Sequence, residues 1–561
     1  PACAERLSWL TGFTGSAGTA LVLMDRAFVF VDGRYALQVR EQVDLSVFSI
    51  EHLLENPPAR WLAQSGRDGL VLGFDPWLHT ISEAEALADA LSRRGGRLVP
   101  VERNPVDAIW SDRPLPPRAP ISIHPLRHAG KSAENKIADL AGTVERAGAA
   151  LTVLSDPASV AWTFNIRGGD VSHTPLPLAF ALIRASGKPA IFIDEAKLTS
   201  QTRAYLEPLA AIEPASVLRS SLAAAASGKA VLLDPAIAAS ALSGIVENAG
   251  GSVVEGPDPA RLPRAVKNPV ELAGMRRAHE RDGVAMGTFL AWLDAQTPGS
   301  IDEIGAAKRL EETRRTVGER FQMPLKDISF ETISGAGPNG AIVHYRVSTA
   351  TNRRIEAGSL YLVDSGAQYE DGTTDITRTI AIGEPTAEMC RHFTLVLKGM
   401  IAISTARFPK GTRGSDIDVL ARHALWQAGC DYAHGTGHGV GAYLAVHEGP
   451  QSISKRGMQE LLPGMVVSNE PGYYRPGAYG IRIENLVIVT EGDLPEGGDI
   501  PMRGFETLTL CPIDRRLIDA RLLRADEREW LDRYHARVRE VIGPHVEGET
   551  RQWLDRATEP L

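Results

Sequence analysis

Apolar positions recur along this chain in short alternating runs broken by helical stretches. In the first stretch, LVLM (21–24) and FVFVD (28–32) read as strands, and residues 82–92 carry the spacing of an amphipathic helix. The Pro-rich run PLPPRAPISIHP (114–125) interrupts all periodicity and reads as a linker. Beyond it TVL (152–154) is a strand feeding a helix. Asp156 is its expected N-cap and Pro157 its first residue, because a short acceptor side chain and a residue without an N–H both suit a helix start. FALI and AIFID then resume the strands. WTFNIRGGD…FALIRASGKPAIFID echoes WLTGFTGS…ALVLMDRAFVFVD: each sets a Trp before a Gly-containing loop and two strands, a faint internal repeat.

The segment GPDPARLPRAVKNP (256–269) marks the next boundary, after which a long helix is expected to start at Asn268, Pro269 and Glu271. A charged amphipathic helix over about 525–542 closes the chain, with Trp530, Leu531 and Tyr534 suited to packing on its domain or on a partner subunit. The expected class is therefore α/β (α+β), with domains at 1–120, 121–262 and 263–561. The length agrees, since 561 residues exceed what one hydrophobic core can organise.

Composition narrows the function without naming it. An apolar fraction of 43% and a charged fraction of 23% describe an ordinary globular chain rather than a disordered one. The formal charge of -9, with no basic run, argues against nucleic acid as a partner. Cys3, Cys390, Cys430 and Cys511 have no CxxC spacing, which disfavours a disulfide framework or a zinc-thiolate site and fits a reducing, cytoplasmic setting. No apolar run approaches the ~20 residues that span a bilayer, and no membrane partner is expected.

Chemistry concentrates in the last half. SLYLVDSGAQYEDGTTDITRTIAI (359–382) reads as two strands around a short loop at 368–372, with Asp364 and Asp375 nearly opposite one another. GMVVSNEPGYYRPGAYGIRIENLVIV (464–489) repeats the arrangement about Gly477 and sets Glu470 across from Glu484. Both glutamates lie beside apolar runs, where an unpaired carboxylate is strongly disfavoured. HGTGHGVG (434–441) adds His434 and His438 on a glycine-rich loop. Separately, these are a solvated polar hairpin, acids paired with Arg482 or Arg475, and ordinary loop histidines. Together, four carboxylates and an imidazole are the donors of a pair of hard divalent ions, whose charge they nearly neutralise with a bridging hydroxide. Oxygen-rich ligation with one His favours Mn, with Zn or Co as alternatives.

The ordered set LVDSGAQYEDGTTDITRT, HGTGHGVGAYLAVHEGP, VVSNEPGYYRPGAYGIRIEN and ISGAGPNGAIVHYR resembles the creatinase/methionine-aminopeptidase "pita-bread" superfamily. WLTGFTGSAG and VDGRYALQVREQVD extend the likeness to the three-domain Xaa-Pro aminopeptidases (aminopeptidase P) across the whole chain. The resemblance implies two creatinase-like N-terminal domains, a pita-bread catalytic domain, a homodimer, and a few dozen residues with a first strand ahead of Pro1. It implies removal of the N-terminal residue from peptides with proline in second place. By its motifs, Asp375 and Glu484 bridge two metals, Asp364 binds one, and His438 with Glu470 binds the other. Glu470 also moves protons, His344 and His447 hold substrate and steady the tetrahedral intermediate, and His434 is a further active-site histidine. Arg34, in DGRY, matches a substrate-reaching arginine, and Arg482, on the strand face of Glu484, is an outer partner for a metal carboxylate. A prolidase acting only on Xaa-Pro dipeptides, the metal-free creatinase and a catalytically dead binding module are the competing readings. The preference at the first substrate position and the natural peptide stay open.

Overall fold

The computed structural model describes residues 1–561, which form two compact units, Pro1–Arg264 and Ala265–Leu561. In the first unit helix α1 (Arg6–Thr11) leads into strands β1 (Gly18–Val22) and β2 (Ala27–Val31), an antiparallel pair, and β3 (Phe48–His52) adds parallel to β2. Every residue of β2 is buried, while Met24, beyond the end of β1, is fully exposed. The expected first strand therefore ends two residues early. A parallel pair follows, β4 (Val71–Phe74) with β5 (Arg97–Pro100), connected by α2 (Ile81–Ser92). Thr80 starts α2 in a reciprocal capping box with Glu83.

The second half of this unit runs the same course. Strand β6 (Leu151–Leu154) enters α3 (Pro157–Thr163), whose cap is Asp156 accepting from the Ala158 N–H. Then β7 (Phe180–Arg184) and β8 (Ala190–Phe192) pair antiparallel, β9 (Ala211–Glu213) adds parallel to β8, and β10 (Ala230–Leu233) pairs parallel with β11 (Ser252–Glu255). Helix, antiparallel hairpin, parallel third strand and a separate parallel pair thus occur twice in one order, the physical content of the sequence echo. In the second copy β6 lies between β7 and β10 and fuses all six strands into one sheet, ordered β9-β8-β7-β6-β10-β11.

The second unit opens on α4 (Pro269–Asp294). Asn268 Oδ1 accepts from the N–H groups of Val270 and Glu271, and the Glu271 carboxylate accepts from the Asn268 N–H. Helix α5 (Glu303–Arg320) packs along α4. A three-stranded antiparallel sheet sets β13 (Ser359–Ser365) between β12 (Ile333–Ala336) and β16 (Ile376–Ile382), with the small hairpin β14 (Ala367–Tyr369) and β15 (Gly372–Thr373) at its tip. Helices α6 (Ala387–Ser404) and α7 (Gly414–Gln427) pack on each other. Further along come β17 (Phe408–Pro409), β18 (Gly437–Gly439), β19 (Glu448–Ile453), β20 (Val466–Asn469), β21 (Gly472–Arg475), β22 (Tyr479–Arg482), β23 (Asn485–Thr490) and β24 (Met502–Thr507). Six form a sheet ordered β17-β24-β23-β20-β18-β19, while β21 pairs with β22 alone.

Helix α8 (Ala525–Ile542) packs Leu531, Tyr534, Val538 and Ile542 into the same apolar cluster as Val396 and Met400 of α6, so its apolar face is spent on its own unit. Trp530 lies flat on Tyr534, their ring centres 5.3 Å apart. Helix α9 (Gly548–Ala557) ends the chain's regular structure.

Candidate metal centre

The two acidic hairpins meet across their main chains. The Glu484 N–H donates to the Thr377 carbonyl (3.1 Å), and Thr379 Oγ1 both accepts from the Arg482 N–H (3.1 Å) and donates to the Arg482 carbonyl (3.0 Å). Register decides what faces what. In the first hairpin Asp364 pairs with Thr377 rather than with Asp375. The pairing runs on in the same register to Tyr369 opposite Gly372, so the tip is Glu370 and Asp371 and Asp375 is the diagonal neighbour on the same face. In the second, β20 pairs with β23 (Asn469 opposite Asn485) and β21 with β22 (Gly472 opposite Arg482) in one continuous register. Glu470 and Glu484 therefore face each other in the gap between the two ladders.

His438 comes from β18, between β19 and β20. The glycine beside it serves chain packing rather than access to a ligand: a Cβ on Gly437 would lie 1.8 Å from the Ser468 carbonyl oxygen. The His438 Nδ1 is 3.0 Å from the Gly439 carbonyl, so a proton on that nitrogen turns Nε2 inward. Nε2 stands 3.5 Å from Asp375 Oδ2 and 3.7 Å from Glu470 Oε1. One donor atom each of Asp375, His438 and Glu484 lies within 4.8 Å of the others. Arg482 joins the remaining acids, with Nη2 2.6 Å from Asp364 Oδ2 and Nε 3.9 Å from Glu470 Oε2. The structure thus gathers all five expected ligands.

Their environment suits a cation. Asp364 Oδ1, Asp375 Oδ1 and Glu484 Oε1 are buried with no hydrogen-bond donor, an arrangement that is costly unless a positive charge fills it. Burial first, and then the charges of Asp364 and Glu470, raise the Asp375 pKa well above the usual carboxylate range. Glu484 is raised well above it in the same way, by burial and then by Asp375, Asp364 and Glu470. Burial opposes charge on Arg482, yet Tyr474, Asp364 and Glu470 outweigh it and hold the guanidinium firmly protonated. These hard oxygen donors with one imidazole fit a pair of divalent ions.

Around this core His447 packs edge-on against His438, ring centres 4.3 Å apart. His434 Nε2 is 2.9 Å from the Tyr474 hydroxyl, which accepts from Arg482 Nη1 at 2.6 Å, so His434 connects to Asp364 through two side chains. His344 follows Val343, whose carbonyl accepts from Arg482 Nη1 at 3.5 Å. Arg34 belongs to the first unit, where its guanidinium pairs with Asp32 at 2.6 Å. Arg475, offered as a partner for the glutamates, pairs instead with Glu388 on the surface. Sequence reasoning missed Thr377, which donates to Glu484 Oε2 (2.8 Å), and Tyr474. Strand alternation carried the signal for both, since Thr377 shares a face with Asp375 and Tyr474 with Glu470.

Fold and donor set together define a metal-dependent peptidase. The profile of metallopeptidase family M24 matches residues 273–491, and the C-terminal region of that family matches 501–561. Creatinase/prolidase N-terminal domain profiles match residues 3–109 and 112–271. A probable Xaa-Pro aminopeptidase P of Aspergillus niger is 41% identical over 583 aligned residues, covering 100% of this chain and 93% of its own. The crystal structure of X-prolyl aminopeptidase from Caenorhabditis elegans, described as a cytosolic enzyme with a di-nuclear active site, superposes with a TM-score of 0.94 at 33% identity. It covers 100% of this chain and 92% of its own. The Xaa-Pro dipeptidase from Bacillus anthracis reaches a TM-score of 0.55 at 25% identity and covers 68% of this chain. The chain belongs to the Xaa-Pro aminopeptidase P family.

Proposed function

We propose that the protein is a metal-dependent aminopeptidase that removes the N-terminal residue from peptides whose second residue is proline. Full-length similarity to Xaa-Pro aminopeptidases carries this reading, together with the convergence of Asp375, His438 and Glu484, which Glu470 joins through His438 and Asp364 through Arg482. Asp375 and Glu484 would bridge two ions, Asp364 would hold one of them, and His438 with Glu470 the other. When bound, the ions, Mn first and Zn or Co as alternatives, would activate a water for attack at neutral pH and polarise the scissile carbonyl.

The chain's own groups do the rest. Glu470 accepts the proton released from the attacking water and delivers it to the departing proline nitrogen. His447, backed by His438, donates a hydrogen bond to the oxyanion, and His344 holds the substrate. His434 steadies the Tyr474 hydroxyl, and Arg482 fixes Asp364. Arg482 would also complete the charge balance: four carboxylates would cancel two divalent ions, and the guanidinium would offset the charge of the attacking nucleophile. Arg34 is assigned to substrate. The domain division at 120 and 262, a homodimer formed through the catalytic domain and a cytoplasmic location are part of the same reading. No helix is long and apolar enough to cross a membrane.

Metal-stripped protein, restored separately with Mn, Zn and Co, should cleave an Xaa-Pro-Pro tripeptide, and Asp375→Asn should abolish the activity. Strict preference for the Xaa-Pro dipeptide makes the protein a prolidase instead. Failure to bind or respond to any of the three metals leaves the binding-module reading.

A further inference from the structure

Arg378 is 1% exposed and has no carboxylate partner, an unusual state for a guanidinium in a protein interior. All of its acceptors are neutral. Nη1 donates to the main-chain carbonyls of Glu484 (2.6 Å) and Thr377 (2.9 Å), while Nε donates to the Pro512 carbonyl (3.0 Å). Nη2 faces Asn485 Oδ1 (2.9 Å), the Cys511 carbonyl (2.8 Å) and the Tyr534 hydroxyl (3.0 Å). Nη1 thus holds the hairpins that carry the expected metal ligands, Nε holds the C-terminal region, and Nη2 touches both.

Glu484 is gripped by the dipeptide Thr377–Arg378 at three points: its N–H by the Thr377 carbonyl, its Oε2 by the Thr377 hydroxyl, and its carbonyl by Arg378. Its carboxylate can hold its aim only if this main chain is fixed. The fixing groups on the far side of Arg378 come from residues 511–534, and Tyr534 Oη ties them together by accepting from the Cys511 N–H (3.3 Å) and donating to the Thr509 carbonyl (3.1 Å). The Leu486 N–H in turn donates to Thr509 Oγ1 at 2.8 Å.

We propose that Arg378 is a positioning residue through which the C-terminal region sets the aim of Glu484, so that this region is part of the metal site. The inference rests on the dinuclear reading above. Lysine keeps the charge but has three donors on one nitrogen, against the five that the planar guanidinium spreads over three, too few to reach acceptors on four segments.

The test is calorimetric titration of Mn into metal-free wild type, Arg378→Lys and Tyr534→Phe, with thermal unfolding of each metal-free protein measured alongside. Arg378→Lys should bind about 10- to 100-fold more weakly, the usual cost of losing an outer support of a metal ligand, and Tyr534→Phe should weaken binding in the same direction by less. A role confined to packing would lower the metal-free unfolding midpoints and leave the affinity of the folded protein unchanged. Folded variants that take two ions as tightly as wild type overturn the proposal, and if Arg378→Lys does not fold, Tyr534→Phe alone decides. A wild type that takes up no pair of ions overturns the dinuclear reading itself, which is a separate result.

Discussion

Replacing Asp375 by Asn should move stability in opposite directions with and without metal. One donor atom of Asp375 lies within 4.8 Å of one of Glu484. At an effective dielectric constant near 20, two full charges at that distance repel by about 3.5 kcal/mol. Metal-free wild type meets this cost by repulsion or by binding a proton, consistent with the raised pKa of both acids. Because those values lie above the unfolded ones, the folded state binds more protons. The metal-free protein therefore loses stability as pH rises from the ordinary carboxylate range through the raised values, and the full penalty is present above them. Asn removes it, and since Asp375 Oδ1 has no hydrogen-bond donor, no bond is lost at that atom. The metal-free variant should be more stable than metal-free wild type at pH 7.5, by about 2 kcal/mol and at most the repulsion. With Mn at 1,000 times its Kd, wild type gains about 4.1 kcal/mol, more than the repulsion, and the variant does not, so the order reverses. Urea unfolding at pH 7.5 and pH 4.5, with chelator and with Mn, measures all four states. A metal-free variant less stable than wild type at pH 7.5, or an unchanged difference at pH 4.5, refutes the reasoning.

Arg482→Lys keeps the charge but cannot reach Asp364, Thr377 and Tyr474 together, and should lower kcat/KM at least tenfold, or about 1.4 kcal/mol of transition-state stabilisation; steady-state kinetics at full metal loading check it. Metal affinity should rise with pH until Asp375 and Glu484 have lost their protons, and calorimetry in buffers of different ionisation enthalpy should detect proton release on binding. Asn268→Ala removes the cap of α4 and should cost about 1 kcal/mol of urea stability while leaving metal content unchanged.

The sequence was most legible where one local rule sufficed. The caps at Asp156 and Asn268 need only the helix's own N–H groups, and the facing of Glu470 and Glu484 follows from a turn centred on Gly477. The same logic set Asp375 nearly opposite Asp364, whereas pairing that continues to a tip at Glu370 and Asp371 puts Thr377 there and Asp375 two positions along. Least legible were the supports. Arg482 meets Asp364 across 118 residues, and Arg378 meets Tyr534 across 156. Such contacts depend on how finished elements pack, and strand alternation marks only the face from which they reach.

The expected ligands arrive along the chain in the order Asp364, Asp375, His438, Glu470 and Glu484, and three acceptors of Arg378 come later still, at Cys511, Pro512 and Tyr534. During synthesis the first unit can close on its own, since its sheets use only residues before 265. The catalytic unit has no such early state. Tight uptake of ions would therefore wait on residues up to Tyr534, and a chain cut between Glu484 and Cys511 would carry all five expected ligands with Arg378 unbraced.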